Sequence, residues 1–180
     1  MATAGISVTP IQVRDATDLD LSAILEIYND AILTTTAVYQ YEPHTLEMRR
    51  TWLYEKQAAG YPVLVAEVDG RIAGFGNLGV WRAAAAYKYT VENSVYVAKD
   101  LRGRGIGKRL LGALIDEARA MDRHAIVAVI DADNAVSIGL HEAFGFERAA
   151  RFKQVGRKFG RWLDLVFMEL VLETPEQPQE

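Results

Sequence analysis

Cysteine is absent from this 180-residue chain, which excludes disulfides, a thiolate nucleophile and cysteine-ligated metal. Histidine is scarce. His44, His124 and His141 are the only imidazoles, and with so few nitrogen ligands no metal site is expected. Long apolar runs are missing: no stretch reaches the ~20 residues of a membrane-crossing helix, and the opening MATAGISVTPIQVRD lacks a basic segment followed by an apolar one. The expectation is a cytoplasmic protein without a membrane partner. A basic excess is lacking too. Twenty Lys and Arg against 24 Asp and Glu give a formal net charge of −4, which argues against nucleic acid as a partner.

What is present suits one globular domain, expected over 1–173 with a frayed tail over 174–180. IQVRDA reads as a strand, and DLDLSAILEIYNDAIL follows with apolar residues at helical spacing. TAVYQY is expected as a short strand, and TLEMRRTWLYEKQAAG as a helix capped by Thr45 and stopped by Gly60. VLVAEV and RIAGFGNLGVW flank Asp69-Gly70, a pair suited to a tight hairpin turn. TVENSVYV is a further strand, Leu110, Leu111, Leu114, Ile115 and Ala118 mark a helix, and AIVAVI reads as a buried strand. NAVSIGLHEAFGF predicts a short helix, with Asn134 as cap and Gly145 as stop, before a last strand in RWLDLVFMEL. Antiparallel strands followed by a β-loop-α-β-α-β run predict a mixed α/β sheet with helices on both faces.

The stretch DLRGRGIGKRLL joins TVENSVYV to its helix, and a glycine loop at a helix start suits an anion. A P-loop does not fit, because only three residues separate Gly103 from Gly107 and Arg109 stands where Ser or Thr is needed. A dinucleotide fingerprint does not fit either, since Lys108 occupies the third glycine position. What remains is Arg102-x-x-Gly105-x-Gly107. By itself this also reads as a plain helix entry with a basic rim.

In its setting of SVYV, VAVI and DADNAVSIGLHEAFGF, the loop resembles the diphosphate loop of the Gcn5-related N-acetyltransferases (GNAT), and the resemblance covers nearly the whole chain. IYNDAI, TVENSVYV, NAVSIGLHEAFGF and GRKFGRWLD are similar to the phosphinothricin and methionine sulfoximine acetyltransferase branch. The resemblance implies a GNAT α/β fold with a mostly antiparallel sheet, acetyl-CoA as co-substrate, direct transfer to the α-amine of a small amino acid, and a homodimer. Acetylation of protein N-termini or polyamines, or a CoA-binding sensor without turnover, are the alternatives this fold leaves open.

An amine must lose a proton before it attacks a thioester, and Glu92, flanked by apolar strand residues, is the candidate base. Pattern alone fits a solvent-facing strand glutamate equally well; the resemblance favours the base. By resemblance His141 is a second base or proton relay. For the cofactor it implies backbone contacts from Val95, Tyr96 and Val97, a cradle of Arg102, Gly103, Arg104, Gly105, Ile106, Gly107 and Lys108, and contacts from Asn134 and Ser137. Arg82 matches the family's substrate loop, which implies that it grips an acceptor carboxylate with two hydrogen bonds while Ala83, Ala84, Glu92, Asn93 and Ser94 line the acceptor pocket; by pattern alone the segment also reads as a plain connection. QVGRKFGRW is a second-tier acceptor element that also reads as a solvated hairpin. Relatives with a tyrosine near the end of the short helix use it as the acid; here Phe144 and Phe146 stand there, which leaves the acid unassigned.

Overall fold

The computed structural model describes residues 10–174. Residues 175–180, most of the expected tail, lie outside the described residues, and Thr174 hydrogen-bonds His124 through its Oγ1 at 2.6 Å. Among the described residues seven strands form one sheet: β1 (Gln12–Asp15), β2 (Val63–Val68), β3 (Arg71–Val80), β4 (Thr90–Val97), β5 (Ala125–Asp131), β6 (Glu147–Lys158) and β7 (Arg161–Val171). Their order is β1-β2-β3-β4-β5-β7-β6, and the β4–β5 pair is the parallel one. Four α-helices join them: α1 (Leu21–Thr34), α2 (Leu46–Ala58), α3 (Ile106–Ala120) and α4 (Ala135–Glu142).

Local chemistry explains the joints. Asp69 and Gly70 both take positive φ, 52° and 74°, which is the backbone a tight hairpin between right-twisted strands requires. Thr45 accepts from the Met48 amide at 3.2 Å and starts α2, and Asn134 accepts from the Ser137 amide at 3.1 Å and starts α4.

The sheet carries helices on both faces. On one side, Phe75 and Tyr96 stack at 4.9 Å between ring centroids under Tyr28 of α1 and Trp52 of α2. On the other, the apolar stripe of α3 is fully buried against β3 and β4. A Cβ built at Gly74 would come within 2.7 Å of the Tyr96 carbonyl and 3.2 Å of Ile106, so glycine at this position lets α3 lie close on the sheet.

One expectation changes, and one strand was not expected. TAVYQY is irregular rather than a strand, its Val38 carbonyl being bonded from outside by a lysine described below. The charged segment 147–158, which has little apolar alternation, forms β6, a long edge strand paired with β7 and exposed along nearly all its length.

Candidate active site

β4 and β5 pair at only three positions, Thr90 with Ala125, Val91 with Ile126 and Glu92 with Val127. Beyond Glu92, β4 runs on to Val97 beside β3, and β5 runs on to Asp131 beside β7. The sheet therefore opens into a wedge, and β4 leaves an edge over 93–97 without a strand partner. Backbone groups on such an edge need a partner from outside the sheet.

Glu92 stands at the apex. Its carboxyl is half-buried, and this burial raises its pKa above the usual carboxylate range, while the Lys56 ammonium of α2 pulls in the opposite direction. It makes no hydrogen bond or ion pair among the described residues. Alternation sends Glu92, Ser94 and Tyr96 to the α1/α2 face and Asn93, Val95 and Val97 to the α3/α4 face.

His141 of α4 lies on that second face, so the two expected catalytic side chains stand on opposite sides of β4. His141 is 4 % exposed. Its Nδ1 lies 2.8 Å from the Ser137 carbonyl, which can only accept, so Nδ1 carries the proton. Nε2 then accepts from Asn93 Nδ2 at 3.0 Å. Burial lowers the imidazole pKa, partly offset by the Ser137 bond, and favours this neutral form. Asn93 Oδ1, left over from the pair, is buried without a partner.

The glycine loop stands at the wide end of the wedge. Gly103 and Gly105 take φ of 78° and 82°, a conformation that excludes most side chains, and nothing stands within 4 Å of a Cβ built at either. Gly105 begins α3, and the first helical bond is Arg109 N–H to its carbonyl at 3.1 Å. Among the described residues no side chain caps this helix, so the amides of Ile106, Gly107 and Lys108 point outward unpaired. Gly107 is needed for closeness: its Cβ would meet Leu140 at 3.3 Å and Val97 at 3.7 Å. Arg102 donates to the Val97 carbonyl at 3.2 Å and pairs with Asp30 at 3.6 Å, while Arg104 and Lys108 border the loop.

The remaining expected residues are less committed. Arg82, Ala83 and Ala84 are exposed on the 81–89 connection, and the Arg82 guanidinium lies over the Trp81 ring at 5.1 Å. Asn134 spends its side-chain oxygen on the α4 cap, and Ser137 gives its carbonyl to His141. Phe144 packs on α3 beside Gly112, and Phe146 packs edge-on to His141, so neither brings a hydroxyl to the wedge.

Residues 23–146 match the acetyltransferase (GNAT) family. The chain belongs to the GNAT acetyltransferases. This GNAT enzyme is 49 % identical over 162 residues to the L-methionine sulfoximine/L-methionine sulfone acetyltransferase of Pseudomonas aeruginosa, covering 89 % of this chain and 94 % of that one. It is 36 % identical over 172 residues to the phosphinothricin N-acetyltransferase of Streptomyces viridochromogenes, covering 94 % and 92 %. A phosphinothricin acetyltransferase from Sinorhizobium meliloti, solved with acetyl-CoA, superposes with a TM-score of 0.88 at 36 % identity, covering 90 % of this chain and 88 % of that one.

Three cations next to the site are not singled out by the sequence. Lys158, within the second-tier acceptor element that also reads as a solvated hairpin, is buried and donates to the carbonyls of Ile32, Thr35 and Val38 at 2.6, 2.9 and 2.6 Å. Arg49 is buried with its guanidinium carbon 3.8 Å from the Tyr28 ring centre, and it bonds His44 Nδ1 at 3.0 Å. Lys56 donates to the Leu78 carbonyl at 2.9 Å. Helical spacing places Arg49 and Lys56 on one face of α2, a signal that was available; their burial was not.

Proposed function

We propose that this N-acetyltransferase moves an acetyl group from acetyl-CoA to the α-amine of a small amino acid such as methionine sulfoximine, methionine sulfone or phosphinothricin, with both substrates bound together. The observation that carries this reading is Glu92: a half-buried, unpaired carboxyl at the point where β4 parts from β5.

The residues present fit acetyl-CoA. The uncapped start of α3 offers three outward amides to a diphosphate, and the free edge of β4 over 93–97 offers strand-like partners to an amide-bearing arm. When bound, acetyl-CoA supplies an acetyl thioester. Amides of the β4 edge polarise the thioester carbonyl, and Glu92 takes a proton from the acceptor ammonium. Nitrogen then bonds to the acetyl carbon, the carbon–sulfur bond breaks, and the second proton of the nitrogen passes through water to the departing thiolate. Without cysteine the chain has no thiol to carry the acetyl group, in keeping with direct transfer.

On the acceptor side, Arg82 receives the carboxylate, with Ala83, Ala84 and Ser94 as walls. His141 serves through Asn93: by holding the amide nitrogen it turns Oδ1 toward a donor N–H of a bound substrate. The assembly is a homodimer formed through the exposed β6–β7 hairpin, where Phe152, Val155, Phe159 and Trp162 are all more than half solvent-facing or at that limit.

A thiol-release assay with acetyl-CoA tests the reaction against methionine sulfoximine, methionine sulfone, phosphinothricin, ordinary amino acids, polyamines and peptides. Turnover is expected on the first three. Turnover on peptides or polyamines alone would overturn the acceptor class. Glu92→Gln is expected to lower kcat/KM by about 10²–10⁴-fold, and full activity in that variant would overturn the base.

A further inference from the structure

Gly79 stands directly across the β3–β4 ladder from Glu92. In an antiparallel pair the side chains of such partners emerge on the same face with Cβ atoms roughly 4.5–5.5 Å apart, so residue 79 is where a cross-strand neighbour of Glu92 would sit. Glycine leaves that slot vacant. It is filled from another element: a Cβ built at Gly79 would overlap Lys56 Nζ, reaching in from α2. The lysine is fixed there by its bond to the Leu78 carbonyl.

We propose that Lys56 is a positioning residue of the transfer reaction, an ammonium held in the cross-strand slot of Glu92 that keeps this carboxylate ionised and ready to accept a proton. The inference rests on the reading of Glu92 as the base. It explains three features together: the glycine at 79, the lysine drawn to a half-buried place, and the absence of a direct ion pair between them. A lysine in contact would occupy the carboxylate oxygens; one that spends a hydrogen bond on Leu78 supplies its field and leaves those oxygens free for the amine.

Other groups approach the same face. Arg49, two turns earlier on α2, is turned to His44 and the Tyr28 ring. Tyr96 of β4 and Tyr28 of α1 add phenols with Tyr96 raised by burial, and exposed Glu169 of β7 follows Val127 in the same cross-strand row. Of these, Lys56 is the charge felt at Glu92, and the relation is mutual: burial disfavours both charged forms, and each charge opposes the other's loss.

The test is the pH dependence of kcat/KM for the wild type, Lys56→Met, Lys56→Arg and Gly79→Ala, with the Glu92 carboxyl followed independently by ¹³C NMR titration. Removing a nearby positive charge raises a carboxyl pKa, so Lys56→Met should move the acid limb to higher pH, by roughly half to one unit for a half-solvated charge at this range. Activity at high pH should approach that of the wild type. Lys56→Arg should restore the limb, and Gly79→Ala, whose Cβ displaces the ammonium, should shift it in the Lys56→Met direction. An unmoved limb and an unmoved NMR titration in Lys56→Met would overturn the inference even if Glu92→Gln is inactive. Full activity of Glu92→Gln would instead remove the base, with the NMR titration still deciding whether Lys56 tunes the carboxyl. If Lys56→Met does not fold, the Lys56→Arg and Gly79→Ala profiles decide.

Discussion

At the scale of single residues, the site is governed by where charge is tolerated. His141 is neutral because it is buried and its bond to Asn93 needs a bare Nε2. In the unfolded chain an imidazole titrates near 6.5. Below that pH the unfolded state gains a proton that folded His141 resists, so stability present above about pH 6.5 is lost as pH falls toward the folded-state value. His44, also lowered by burial, has the same sign. The expected outcome is that the wild type loses of order 1 kcal/mol more unfolding free energy than His141→Gln between pH 7 and 5.5, read by urea denaturation at each pH. Equal losses would mean that His141 titrates normally.

At the scale of elements, the helix starts and strand ends do the positioning. Lys158 ties β6 to the end of α1 and to the connection beyond it, and Tyr41 adds a bond to the Arg157 carbonyl at 2.7 Å. Lys158→Met leaves three carbonyls without this donor, so residues 35–45 are expected to become the first site of limited proteolysis, with a loss of stability of about 1–3 kcal/mol. A wild-type cleavage pattern would contradict this. Gly74→Ala should be destabilising by about 1–3 kcal/mol, because its Cβ pushes against the Tyr96 carbonyl and α3, and should weaken acetyl-CoA binding by displacing the start of α3. Calorimetry of both variants with coenzyme A checks the pair.

The same elements show what was legible in the chain. The Asp69-Gly70 turn, the Thr45 and Asn134 caps and the apolar stripe of α3 are local signals, written within a few residues, and the structure agrees with each. β6 was not legible because an edge strand exposed on both sides needs no alternation, and its pairing with β7 is long in space but silent in pattern. Glu92 could be singled out, but the lysine facing it lies 36 positions earlier on another element. Lys158 carries no burial signal in a charged turn, since its partners are backbone carbonyls about 120 residues away.

At the scale of the whole molecule, surface and charge decide the assembly. A 12-residue edge strand with exposed Phe152 and Val155, beside exposed Phe159 and Trp162, sets four large apolar side chains among charged ones on an edge without a further strand. The dimer proposed above should sediment at twice the chain mass, and a Phe152→Asp, Trp162→Lys pair should shift it toward monomer while leaving the far-ultraviolet spectrum unchanged. Monomeric wild type at micromolar concentration would contradict it. The three-pair ladder between β4 and β5 has a mechanical meaning as well. It is a narrow isthmus between a four-stranded and a three-stranded body, so a molecule lodged in the gap works as a removable rivet. Occupancy should stiffen the two bodies together, merging any early softening of the smaller one into a single sharper melting step.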